Sequence, residues 1–371
     1  MPEVMIPISQ PIIAKNAQKY VTTCLQTSWV SSAGDFVTRF EQMFAKYIGV
    51  RYAVATSSGT AGLHLALAAL DIGPEDEVIL PTFTMIATLL PILYVGAAPI
   101  LVDVDRETGN IDIKKIQEKI TRKTKAIIPV HMFGSPVNMT PLLSLAKKHN
   151  LFVIEDAAEA HGAEYRLQNT WKKTGSLGNI GCFSFYGNKL ITTGEGGMAV
   201  TNNKKLADRM QSLRNLARTP GKHFLHTELA YAYRMSNLQA ALGVAELEEI
   251  ADYIQRKKEL AETYNKHLSS FSHFPIEQSF AKSMYWQYGL LLKNRQEKES
   301  LATTLERKGI ETRAFFTPLH LQPMAKKLKL FRNDRYPVSE MLCKQGLCIP
   351  SGVGLSHKDQ MYVIRQLLSL T

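Results

Sequence analysis

Cysteine is scarce in this 371-residue chain, which has four: Cys24, Cys182, Cys343 and Cys348. They form neither a CxxC pair nor a metal-ligand rhythm, so a disulfide framework and a metal site are excluded and small buried thiols in a reducing compartment are expected. No uncharged apolar run reaches the length of a bilayer span. The longest apolar stretch, FTMIATLLPILYVGAAPILV, is broken by two prolines and a glycine. The opening MPEVMIPISQP has no basic start followed by an apolar core, so no secretory leader is expected, and the chain reads as cytoplasmic with no membrane partner. Internal repeats and low-complexity segments are missing too. The formal charge of +11 raises the question of nucleic acid, but the basic residues fall in short groups such as KKIQEKITRKTK and QRKK without interleaved aromatics. Those groups read as solvated helix faces, and the net field suits an anionic small substrate better than a polynucleotide.

What is present is ordinary globular material, 45% apolar and 9% aromatic, in a length that makes room for about two domains. From about residue 50 helical patterns alternate with short β-branched runs, the rhythm of an α/β sheet with crossover helices. Strands are predicted at YAVA, EVILP, PILVDVD, AIIPVH, LFVIED, GCFSF and GMAVT. A helix is predicted over TAGLHLALAAL (Thr60 to Leu70), and another from MTPLLSLAKKHN with Thr140 as its cap and Pro141 at its first position. One long charged helix runs from SNLQAALG to AETYNKHL and bridges to a compact α+β unit with strands at YWQYGLLL and IETRAFF. The expected division is a large domain over 1–250, N-terminal segment included, and a small C-terminal domain over 251–371.

Three stretches carry chemistry. TSSGTAG (Thr56 to Gly62) places hydroxyls and glycine between a strand and a helix start, where free N–H groups and the positive helix end attract an anion. It is neither a Walker loop nor a Rossmann fingerprint, and taken alone it also reads as a capped helix. VIEDAAEAHGA (Val153 to Ala163) ends an apolar strand in carboxylates. A carboxylate there is costly to bury unless it meets a cation or hydrogen-bond donors. A protonated pyridine would serve Asp156, though Asp156 could equally cap the next helix with Glu159 in its first turn. FSFYGNKLITTGEGG (Phe183 to Gly197) sets Lys189 at an aromatic strand end, where lost hydration lowers an amine's pKa; the alternative is a surface lysine on a turn. Together the three match the needs of pyridoxal phosphate: a phosphate site, a partner for the ring nitrogen, and, 33 residues beyond Asp156, an amine for the aldehyde.

The order SSGTAGLHLAL, PTFTMIAT, IPVHMFG, IEDAAEAHGA, FSFYGNKLITTGEGG, YRMSNLQAALG and FFTPLHLQP resembles the pyridoxal-phosphate-dependent nucleotide-sugar aminotransferases of the DegT type across nearly the whole chain. The resemblance implies an aspartate-aminotransferase-like fold, fold type I: a large, mainly parallel mixed-sheet domain with a smaller α+β one, working as a homodimer with shared active sites. It gives Lys189 the Schiff-base role and Asp156 the ring nitrogen. Glu159, often glutamine in relatives, is given the ring hydroxyl. Gly59, Thr60 and Ser184 match phosphate contacts, and Asn237 matches the asparagine that reaches a neighbouring subunit's phosphate. Met85 stands where relatives usually place a stacking aromatic; its thioether can cover a ring face, and Phe83, two residues earlier in the same extended segment, is the other residue to consider. Arg313 and His320 are candidates for sugar or phosphate contacts. Related sugar dehydratases carry histidine in place of the lysine, so Lys189 favours transamination.

The activity implied is transfer of an amino group from L-glutamate to a nucleotide-linked keto sugar, with Lys189 moving the proton. EDAAEA, WVSSAG and KHFLHTELAYAYRMSN are most similar to enzymes that aminate 4-keto-6-deoxy sugars, perosamine and viosamine synthases among them, with a lean to a GDP-linked sugar. AHG at Ala160 to Gly162 is shared with 3-keto enzymes, which keeps 3-amination open. A pyridoxal-phosphate dehydratase or lyase, and a regulatory protein that kept the fold, are the remaining alternatives.

Overall fold

A computed structural model describes residues 5–370 apart from 220 and 223. Its main sheet has seven strands: β1 Tyr52–Thr56, β2 Glu77–Pro81, β3 Ala98–Val102, β4 Thr124–Ile127, β5 Phe152–Asp156, β8 Ile180–Ser184 and β9 Gly197–Thr201. Between β5 and β8 come β6 Glu164–Leu167 and β7 Thr170–Lys173, which form a small antiparallel sheet with β11 Ala281–Lys282. The main order is β1-β9-β8-β5-β4-β2-β3. Every strand points the same way except β9, antiparallel to both of its neighbours.

Side-chain alternation decides which helices cover which face. Val54, Cys182 and Ala199 point into one core, shared with the Gly59–Ala69 helix. Ala53, Phe183, Met198 and Val200 point into the other, where Phe40 and Phe44 of the Asp35–Ile48 helix and Val244 of the Asn237–Glu248 helix meet them. The Gly59–Ala69 helix is apolar nearly all round because it is sandwiched between the sheet and further helices.

The C-terminal strands β10 Ser272–Phe274, β12 Tyr288–Leu291, β13 Arg313–Ala314 and β14 Gly346–Ile349 form an antiparallel sheet ordered β10-β12-β14-β13. Its core holds Tyr288, Leu290, Leu305, Leu347 and Val363. The long helix expected from Ser236 onward is two helices, Asn237–Glu248 and Ile250–His267. Glu249, at φ −102 and ψ 1, leaves helical register and bonds back to Glu246 and Leu247, with no glycine or proline to announce the break. Ile250 and Tyr253 of the second helix pack in the main core and Leu260 and Tyr264 in the C-terminal one, so the helix joins the two. The N-terminal segment also serves both: Ile8 lies in the main core, while Ile6 bridges to Ile310 and packs on the C-terminal core. Thr140 is not the cap expected of it. The helix is Met139–Lys148 with Asn138 in the cap position, and the Thr140 N–H instead donates to the Tyr165 hydroxyl at 3.0 Å. IETRAFF contributes two strand residues, Arg313 and Ala314.

Asp103, just past β3, fastens the Pro337–Gln345 helix to the main sheet. Its carboxylate accepts from Val338 N (3.1 Å), Ser339 N (3.0 Å) and Ser339 Oγ (2.7 Å) and is 3% exposed. Burial alone would raise its pKa, but these bonds hold it below the ordinary carboxylate value. The stabilisation is therefore complete above the unfolded-state pKa and is lost as pH falls through the depressed folded one. Asp103→Asn should cost about 1–3 kcal/mol at pH 7, measured by urea unfolding, and its deficit relative to wild type should shrink toward acid pH.

Candidate active site

The central strand β5 carries Asp156 to its carboxyl end, where the carboxylate is 5% exposed. Thr88 Oγ1 donates to Asp156 Oδ2 at 2.8 Å and Ala158 N to Oδ1 at 3.2 Å. Burial raises the pKa of Asp156, against the pull of those two bonds and of Lys189 and His131. One turn on, Glu159 is buried as well, accepts the Phe133 N–H at 2.9 Å, and is pushed up to about 7 by desolvation. Among the described residues neither carboxylate has an ion-pair partner within 4.0 Å. Such a pair invites a cationic guest.

Lys189 projects from the loop between β8 and β9. That loop is closed by Phe185 N to Gly196 O and Thr193 N to Phe185 O, both 2.9 Å. Its glycines have specific duties. Gly194 takes φ +75, and Gly197 passes so near the Gly59–Ala69 helix that a Cβ would lie 2.3 Å from Ser58 O. Lys189 Nζ rests 4.0 Å from the centroid of the Trp286 ring, whose Nε1 donates to Asn188 O at 2.8 Å. Burial lowers the amine's pKa, and Glu159 and Asp156 pull it back up.

At the other end of the same space the Gly59–Ala69 helix begins. Ser58 Oγ accepts the Ala61 N–H at 3.1 Å, leaving the N–H groups of Gly59 and Thr60 without an intrachain acceptor among the described residues. Gly59 is required by contact: a Cβ there would stand 2.9 Å from Ser184 Cβ. These groups line one cavity of about 360 Å³, with Met85, Trp286, Gln287 and Arg313 on its remaining walls. Anion donors, a buried carboxylate and an amine of lowered pKa on one cavity lining fit pyridoxal phosphate at its phosphate, ring nitrogen and aldehyde. No group of His, Cys, Asp and Glu among the described residues could hold a metal ion, and no described helix is long and apolar enough to cross a membrane.

The DegT/DnrJ/EryC1/StrS aminotransferase family model matches residues 11–368. The chain belongs to this family. It is 42% identical to a GDP-perosamine synthase of Escherichia coli O157:H7, over 96% of each chain. Among solved structures it is similar to S. venezuelae DesV in complex with a ketimine intermediate, at 30% identity and TM-score 0.89 over 96% of this chain and 94% of that one. Spr1654 of Streptococcus pneumoniae in its PLP-form aligns with TM-score 0.91 and 26% identity over 99% of this chain and 98% of that one. The architecture is fold type I, and the family member is an enzyme.

Of the residues singled out in the sequence, Gly59, Thr60, Met85, Asp156, Glu159, Ser184, Lys189 and Arg313 line this cavity. Met85 is 48% exposed, with its sulfur accepting the Ala87 N–H at 3.0 Å, while Phe83 is fully buried against Phe133, Phe274, Phe315 and Phe316 and does not reach the cavity. His320 is outside it. Its Nδ1 bonds Thr82 Oγ1 at 2.9 Å, its Nε2 lies 3.5 Å from Glu340, and it borders a separate cavity. Asn237 is also elsewhere, 2% exposed and occupied within its own chain. Its Oδ1 accepts from Phe36 N (3.0 Å) and its Nδ2 donates to Trp29 O (2.6 Å) and faces Cys24 Sγ (3.2 Å). Its place is to pin the 27–36 segment, and Ser236 caps the helix. Sequence reasoning missed Thr88, Trp286 and Gln287. A threonine in TMIAT and a YWQY strand edge give no sign that they face a site 68 or more residues away. Thr88→Val should leave Asp156 a hydrogen bond short and raise the cofactor's Kd about tenfold, read by titrating pyridoxal phosphate into apoprotein and following Trp fluorescence.

Proposed function

We propose that the chain transfers the amino group of L-glutamate to the C4 ketone of a nucleotide-linked 4-keto-6-deoxy sugar, GDP-linked in the first instance. The observation that carries this is the single cavity in which an amine of lowered pKa faces two buried carboxylates, in a chain 42% identical to a GDP-perosamine synthase. The cofactor is pyridoxal phosphate, which when bound supplies an electron sink for the bond broken next to nitrogen.

The chain's own groups do the rest. The N–H groups of Gly59 and Thr60, with Ser184, hold the phosphate against the positive end of the helix. Asp156, kept in place by Thr88 and Ala158, retains a proton on the ring nitrogen. Glu159 bonds the ring hydroxyl, and Met85 covers a ring face. Lys189 Nζ holds the aldehyde and, once released, takes a proton from the carbon of the donor and returns one to the carbon of the sugar. Its lowered pKa leaves a larger neutral fraction to accept that proton. Arg313, at the cavity edge with Glu311 3.6 Å away, attracts the substrate's anionic groups. Residues up to about 250 form the cofactor-binding domain and those from 251 the small domain that closes the cavity from the other side.

Borohydride reduction with pyridoxal phosphate should leave a mass adduct on Lys189, and Lys189→Ala should lose both adduct and turnover. Asp156→Asn should keep the cofactor yet lose turnover by about 10²–10⁴-fold. The deciding experiment is incubation with glutamate and GDP-, dTDP- and UDP-linked 4-keto and 3-keto sugars, followed by mass spectrometry and nuclear magnetic resonance of the product. Nitrogen at C4 supports the reading; nitrogen only at C3 overturns the regiochemistry, and no amination in the presence of the Lys189 adduct turns it toward a lyase.

The active unit is a homodimer with shared sites. Supporting this are Trp29 at 57% and Leu229 at 87% exposure, apolar side chains too large to leave in water in adjoining segments. Ser32 and Ala33, just after Trp29, line a cavity of about 460 Å³ with Arg214, Arg218 and Arg234. Wild type should run as a dimer in light scattering, and Trp29→Asp with Leu229→Asp should shift it toward monomer with loss of turnover.

A further inference from the structure

Gln287 is the polar side chain that the chemistry so far leaves without work. It immediately precedes β12, is 2% exposed and lines the active-site cavity, yet among the described residues neither Oε1 nor Nε2 has a hydrogen-bond partner. Its neighbours are all provided for. Trp286 Nε1 donates to Asn188 O at 2.8 Å, Tyr288 N to Ser351 Oγ at 3.1 Å, and Tyr288 OH to Asn265 Oδ1 at 2.7 Å. An amide buried without partners is costlier than an apolar side chain of equal volume, so the position makes sense when a guest in the cavity completes it.

The guest's chemistry follows from the amide's. A carboxylate or phosphate only accepts, so it would satisfy Nε2 and leave Oε1 unpaired. Arg313, on the same side of the cavity, suits those anions better. A carbon bearing a hydroxyl, beside a second oxygen, both donates and accepts and fills both places. On the same cavity lining, Asn188 Oδ1 is a second buried acceptor without a partner among the described residues. The Trp286 indole, next to Gln287 in sequence, bonds the Asn188 carbonyl, and the same ring carries Lys189 Nζ at 4.0 Å. The Gln287 amide and the reacting amine line the same cavity.

We propose that Gln287 reads the sugar ring of the substrate, accepting from and donating to the hydroxyl and oxygen next to the carbon that is aminated, and so determines which keto sugar is positioned for Lys189. This rests on the reading above that the substrate is a nucleotide-linked keto sugar.

The test uses the cofactor-loaded enzyme, with Gln287→Met as a substitution of similar size that removes the amide and Gln287→Glu as a second variant that keeps a polar group. Calorimetry compares GDP with the aminated GDP-sugar product, and steady-state kinetics separates KM for the keto sugar from KM for glutamate. In Gln287→Met the Kd for GDP should stay within about twofold, while the product's Kd and the keto sugar's KM rise about 10–100-fold, with KM for glutamate little changed. Gln287→Glu, an acceptor without the NH2 donor, should show the same selective loss. A product-to-GDP affinity ratio equal to wild type in both variants overturns the proposal, as does an equal rise in the two KM values. Failure of the underlying reading is recognised separately: wild type itself would then bind the amino sugar no better than GDP and aminate nothing.

Discussion

Three ionisable groups drawn out of water into one small volume set the terms for everything around them. Asp156 and Glu159 stand at the end of the central strand with Lys189 near them; burial moves each toward its neutral form, the lysine and the two carboxylates pull one another back, and Asp156 pushes Glu159 further toward neutral. Such an arrangement is uncomfortable without a guest. It persists because the sheet beneath it is rigid: β5 is flanked by parallel partners on both sides, and the adjacent Glu155 is itself tied down by the N–H groups of Gly175, Leu177 and Gly178 and by His131. Fold stability elsewhere is what keeps these charges in an environment water would otherwise relax.

The two walls of the cavity come from different stretches of the chain, with Trp286 and Cys348 of the second wall packed into the main core. The wall built by the main sheet carries the groups that suit a phosphorylated aromatic cofactor. The wall built around β12 and β13 carries Trp286, Gln287 and Arg313, which suit something hydroxylated and anionic. The Trp286 to Asn188 hydrogen bond is where the two are registered.

Much of this was legible in the sequence because it is written locally. EVILP is β2 residue for residue, and LFVIED, GCFSF and GMAVT fall on strands because short apolar runs bounded by polar turns have few other options. Lys189 and Asp156 stood out because each sits where its chemistry is locally anomalous. The intrachain surroundings of Asn237 and His320 were not legible for the opposite reason: their partners, Phe36 and Trp29 for one and Thr82 for the other, lie some 200 residues away, and no short motif encodes them. The break at Glu249 was hidden because two good helical sequences meet there, and the second helix leaves the main core for the C-terminal one only further along. Trp286 and Gln287 looked like strand interior, since nothing in YWQY distinguishes a side chain facing a core from one facing a cavity.

The single reversed strand has a mechanical corollary. Since β9 runs back alongside β8, the excursion that bears Lys189 starts and finishes on adjacent strands, both hydrogen-bonded into the sheet. A loop with both feet on neighbouring rails has little freedom to swing as a whole; it can flex only within its own span, and Gly197 clamps one foot against the Ser58 carbonyl. The amine thus sits on a short tether over a fixed mount, with its own side-chain bonds as its main freedom.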